Sequence, residues 1–157
     1  MENKMPLLWK IKCRVLWNIV YHLQREVKEA IQASDDALIH LKRARSCLNS
    51  AGNWGLLDMF GGNLITGLLK HGKMASAERE IEEARYYLQR FSKELRDVQG
   101  YSSIHIGDFL TFADFFYDGF VMDVIVQSKI SNAKRQCDDA IRRVESIQGQ
   151  LLQIEAH

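Results

Sequence analysis

His105, Asp108, Asp114, Asp118 and Asp123 lie close together in this chain, and Asp58 and His71 stand further back. Converging carboxylate oxygens are what a hard cation requires. A histidine beside an aspartate can move a proton. Asp58, His71, His105, Asp108 and Asp114 are therefore the candidate ligand set. A simpler reading makes Asp108 and Asp114 helix caps and the other aspartates a solvated face. No catalytic residue is assigned on this pattern, and the chain is read as a non-enzyme.

The stronger metal and nucleophile patterns are missing. A carboxylate-bridged di-iron bundle needs Glu-x-x-His on two helices, because positions i and i+3 project together into the core. None of His22, His40, His71, His105 and His157 has an acid three residues earlier, and no His-Glu-x-x-His occurs. No Gly-x-Ser-x-Gly marks a nucleophile. The three cysteines, Cys13, Cys47 and Cys137, form no Cys-x-x-Cys pair, so zinc and dithiol chemistry are not expected. They read as buried free thiols in a reducing compartment. No metal and no cofactor is expected.

Trp54-Gly55-Leu56-Leu57-Asp58-Met59-Phe60-Gly61-Gly62-Asn63 leads into an apolar segment ending in Lys70-His71. A glycine pair at a helix entrance can cradle an anion on free N–H groups. Here the pattern is neither Gly-x-Gly-x-x-Gly nor a P-loop, and a sharp turn capped by Asp58 accounts for it. Residues 54–77 resemble segments of uncharacterised bacterial helical-bundle proteins. That resemblance implies a bacterial helical protein and no particular activity.

The elements that must position these residues are written in three heptad ladders. One runs Trp9, Cys13, Leu16, Val20, Leu23, Val27, Ala30, Ser34, Ala37, Leu41, Ala44, Leu48. The second runs from Met74 through Ile81, Leu88 and Phe91 to Val98, and the third from Ile130 through Cys137 and Val144 to Ile154. Alternating steps of three and four keep one seam of a helix on a partner. Alanine every seventh residue lets helix axes approach closely. Pro6 suits a first helical turn, and Asn49-Ser50-Ala51-Gly52-Asn53 reads as a stop. The spacing predicts long helices over about 7–49, 74–99 and 112 or 128 to 155. The expected fold is all-α, a three-helix up-down-up antiparallel coiled-coil bundle in one domain, 1–157.

The two connectors look related. At a shift of 56 residues, Asp58, Phe60, Lys73, Ala77, Arg79 and Ala84 fall on Asp114, Phe116, Lys129, Ala133, Arg135 and Ala140. This reads as a duplicated unit opening each of the two later helices. Lys42, Arg43 and Arg45 are expected to face Glu78, Glu80, Glu82 and Glu83. Ser34, the sole hydroxyl in the ladders, reads as a register point whose replacement by leucine would raise stability.

Helix lengths expose a mismatch. A second helix of that length leaves residues 7–22 of the first protruding, with the aromatic run Phe109–Phe120 expected at the same end. Either the aromatics bury against the overhang, or that end is an exposed apolar patch and an interface. Trp9, Trp17, Phe112, Phe115 and Phe116 are the interaction candidates.

Composition narrows the partner. Hydrophobic residues make up 46% and charged residues 26%, as in a folded domain. A formal net charge of +1 argues against wrapping nucleic acid. Lys10, Lys12 and Arg14 break the N-terminal apolar run, so neither a secretory core nor a spanning helix is expected. The chain is expected to be a cytoplasmic interaction or scaffold module that binds a protein or itself. The alternatives are a ligand-binding or metal-dependent enzyme at the connector end, and a peripheral membrane protein held by residues 5–21.

Overall fold

The computed structural model describes the backbone of residues 6–58, 64–119 and 127–156, and the side chains of 6–50, 75–116 and 130–156. These residues form helices and no strand: α1 (Leu7–Asp58), α2 (Leu64–Gln99), α3 (Gly107–Gly119) and α4 (Gln127–Glu155). The chain is all-α.

Local chemistry sets several of the helix ends. The Pro6 carbonyl accepts from Trp9 N at 2.8 Å, which starts α1 without needing the N–H that proline lacks. At the end of α2, Gly100 N donates to the Arg96 carbonyl and Tyr101 N to the Val98 carbonyl. The Ser102 hydroxyl adds a bond to the same Val98 carbonyl at 3.1 Å. These groups satisfy carbonyls that the last helical turn leaves open. The Ile106 carbonyl accepts the first bond of α3 from Leu110 N, and Asp108 lies in that first turn, where the helix dipole favours an anion.

Two boundaries differ from the periodicity. α1 runs through Asn49-Ser50-Ala51-Gly52-Asn53 to Asp58, and α2 begins at Leu64 rather than 74. Asparagine, serine and glycine disfavour a helix by about 1 kcal/mol each at most, which a long packed helix absorbs. The Ser50 hydroxyl donates to the Ser46 carbonyl at 3.2 Å and so stays within the helical turn.

The ladders are the core. Val27, Ala30, Ser34, Ala37, Leu41, Ala44 and Leu48 of α1 are buried, as are Ala77, Ile81, Ala84, Leu88, Phe91, Leu95 and Val98 of α2. Ile130, Ala133, Cys137, Ala140, Val144, Ile147 and Leu151 do the same for α4. α1 also buries Ala33 and Leu38, which lie off its ladder, because it packs against both α2 and α4.

Cross-helix pairs set the directions. His22 stacks on Tyr101, Asp36 meets Arg90 and His40 stacks on Tyr87, so α1 and α2 are antiparallel. Gln148 bonds Ser34 while Arg45 pairs with Asp138, so α1 and α4 are antiparallel as well. α4 therefore runs alongside the direction of α2. The up-down-up expectation differs on this point: a separate short helix, α3, stands in the chain between α2 and α4 and packs on both. The expected start of the third helix at 112 or 128 becomes two helices, one holding the aromatics and one holding the ladder.

Candidate functional site at the free end of α1

α1 is the longest element, about 78 Å at 1.5 Å per residue. The stacked rings of His22 and Tyr101, 6.2 Å between centroids, mark where α2 ends against it. The end of α4, Gln150 to Glu155, lines one groove together with Val20, Leu23 and Val27. Residues 7–21 lie beyond both neighbours, a stretch of about 22 Å.

Every residue from 6 to 21 is exposed. Trp17 is 76% exposed, Leu7 and Leu8 75%, and Trp9 54%. The ladder positions Trp9, Cys13, Leu16 and Val20 continue the seam that α2 and α4 cover further on. Leu8, Ile11, Val15 and Ile19 widen it on one flank and Trp17 on the other, while Lys10, Arg14 and Asn18 share the remaining side with Leu7 and Tyr21. Only Lys12 interrupts the arc. A surface this apolar and continuous is unusual on a lone soluble unit.

At the base of the overhang a groove of about 790 Å³ opens between α1, the segment Ser102–Ile104 that follows α2, and the end of α4. Leu23, Val27, Ile104 and Ile154 give it an apolar floor, and Gln24, Gln150 and Gln153 rim it. Around the flank, Glu26, Glu29 and Glu94 place carboxylate oxygens within 4.8 Å of one another. Glu26 is held by Arg25 at 2.5 Å. Burial, reinforced by the charges of Glu29 and Asp97, pushes the Glu94 carboxyl above its ordinary value. The heptad reading missed this acidic cluster.

The aromatic candidates divide. Phe116 is buried (3% exposed), and Phe109 meets Phe91 edge-on at 5.2 Å between centroids. Phe112 is half-buried, with the Arg143 guanidinium 4.6 Å above its ring. Phe115 is 66% exposed. The buried aromatics of α3 thus pack on α2 and α4, and among the described residues none covers the overhang, which is the second of the two outcomes expected. Phe116 and, in part, Phe112 are core residues, while Trp9, Trp17 and Phe115 are free.

Three of the ligand candidates lie on the described surface. His105 and Asp108 are exposed, and Asp114 faces Arg96 at 3.9 Å. The side chains of Asp58 and His71, and those of Asp118 and Asp123, lie outside the described residues, as does the Gly61-Gly62 turn. So does most of the proposed duplication. Lys42 and Arg45 find their acids on α4, Glu145 at 2.9 Å and Asp138, rather than on α2. Cys13 is exposed rather than buried, because its seam has no partner there; Cys47 is half-buried and Cys137 buried. His40 Nδ1 and Glu80 Oε2 lie 3.4 Å apart under the Tyr87 ring, a polar contact between α1 and α2 that periodicity also missed.

No described helix is long and apolar enough to cross a membrane. Comparison with family models, with curated proteins and with solved structures finds no match.

Proposed function

We propose that this chain is a non-enzymatic protein–protein interaction module, a single helical unit acting in the bacterial cytoplasm, with the free stretch of α1 as its recognition element. One observation carries the reading: the seam that buries the bundle core continues for 15 residues past both covering helices, from Leu7 to Tyr21, with its apolar arc open to solvent. Helix-in-groove recognition works through such a face, with anchors spaced at three and four residues. Trp9 and Trp17 are the anchors, since large amphipathic rings dominate interface energetics.

The test is affinity capture and light scattering of the full chain beside a Trp9→Glu/Trp17→Glu variant. Association with a protein, itself or another, that the variant loses supports the proposal. A wild-type chain that stays alone, and whose Trp9 and Trp17 are fully open to a fluorescence quencher, ends it.

Lys10, Lys12 and Arg14, with no acid between residues 7 and 25, favour one second reading, a helix lying on an anionic membrane surface. Vesicle flotation of wild type against Trp9→Glu decides it, and equal flotation removes it.

A further inference from the structure

We propose that the protein occupying this surface is a second copy of the chain: two α1 overhangs lie antiparallel, and the tip of each seats in the groove at the base of the other. The inference rests on the interaction reading above and names its partner.

The ladder supplies the register. In an antiparallel pair the two seam positions of the heptad oppose each other. With the two-fold axis at Asn18, Leu16 faces Val20 of the second copy, Cys13 faces Leu23 and Trp9 faces Val27. Leu23 and Val27 are floor residues of the groove. The spacing that extends the ladder therefore also delivers the Trp9 ring to an apolar socket about a helix-length away. The contact is the same patch on both copies, so it closes as a two-fold dimer.

Area sets the strength. The seam residues Trp9, Cys13, Leu16 and Val20, with Leu8 and Ile19 beside them, offer on the order of 500 Å² of apolar surface per copy. Two such faces together reach about 1,000 Å², the size of a weak, concentration-dependent association.

Charge agrees as well. The tip carries Lys10, Lys12 and Arg14. The base carries Glu26, Glu29, Glu94 and Asp97, with Glu155 on the groove rim; among its own cations, Arg25 and Lys93 are there and Arg96 is turned toward Asp114. Antiparallel pairing sets Lys12 on the same flank of the seam as Glu26 of the second copy, close to its level. The parallel arrangement would put basic tip on basic tip.

The experiment uses the full chain. Light scattering from about 1 to about 200 μM should show a mass rising from 18.1 kDa to twice that value. Leu16→Glu sets two carboxylates beside the axis and should weaken association by at least about tenfold with unchanged helix content. Leu23→Cys under mild oxidation should cross-link copies through Cys13 of one and position 23 of the other, whereas wild type should not cross-link. A wild-type mass of 18.1 kDa at every concentration overturns the inference. So does an undiminished Leu16→Glu dimer, or a wild-type Cys13–Cys13 link. If wild type is monomeric, phosphatidylcholine–phosphatidylglycerol vesicles at about 3:1 separate the two failures. Flotation that Leu16→Glu abolishes overturns both readings. No flotation, with protein capture still lost in Trp9→Glu/Trp17→Glu, overturns the dimer alone.

Discussion

Gln148 reaches from α4 to the Ser34 hydroxyl of α1 at 2.8 Å, and the same amide nitrogen donates to Asp35 Oδ1 at 2.7 Å. The fully buried hydroxyl donates in turn to the Ile31 carbonyl at 2.7 Å. A serine in a heptad seam thus has both of its hydrogen-bonding roles filled, one of them by the partner helix.

That geometry reverses the stability expected from the ladder alone. Ser34→Leu adds volume to a filled layer and takes from Gln148 its partner on α1's seam, so it should cost about 1–3 kcal/mol. Ser34→Ala should cost about 0.5–1.5 kcal/mol. Urea unfolding measures both, and a higher midpoint for Ser34→Leu would show the bond to be dispensable.

The aromatics of α2 and α3 should separate cleanly by burial. Phe91 is fully enclosed and meets Phe109, so Phe91→Ala should lose about 3–5 kcal/mol. Phe115→Ala, at an exposed site of α3, should stay within about 0.5 kcal/mol of wild type. Thermal unfolding of the pair checks the orientation of α3.

Cys137 imposes an alkaline limit. Burial pushes its thiol up to about 12 from an ordinary 9.0, with the Asp138 charge adding to the effect. The folded chain keeps the proton that the unfolded chain gives up. Stability from this group is complete below pH 9 and declines between about 9 and 12, by at most about 1.4 kcal/mol per pH unit. Cys137→Ala should flatten that slope in unfolding curves taken across the range. Thiol labelling of the native protein should reach Cys13 well before Cys137, because only the former is exposed.

Glu94 should behave in the opposite sense to a salt-bridged acid. Its carboxyl is raised by desolvation and then by Glu29 and Asp97, so ionisation works against the fold. The group's contribution is fully present below its unfolded value and fades as pH rises through the raised one. Glu94→Gln should therefore stabilise the monomer at pH 7 by about 0.5 kcal/mol and make no difference near pH 3. Chemical denaturation at the two pH values reads this directly.

Much of the core was legible because burial follows periodicity. Every ladder residue from Val27 to Leu48, and nearly every described one on α2 and α4, lies inside. The overhang followed from helix lengths and ends within a residue or so of where the ladders placed it. The groove beneath it was not legible, since Ile104 and Ile154 come from elements whose meeting no spacing encodes. The acidic cluster was hidden for the same reason: Glu26 and Glu94 look like ordinary flanking charges until α1 and α2 are set antiparallel.

By itself the amino-acid sequence determined that the chain is helical, which face of each long helix needs cover, and that the first helix outruns its partners. Tertiary structure decided which helix covers which face, in what direction, and with what left bare. A heptad seam buries the same side chains against a parallel or an antiparallel neighbour, so it is silent on direction. The choice falls to features off the seam: the pairing of Lys42 and Arg45 with α4, and the bond from Gln148 to Ser34. Because α3 turns its buried phenylalanines onto α2 and α4, residues 7–21 keep an apolar face that no described residue covers.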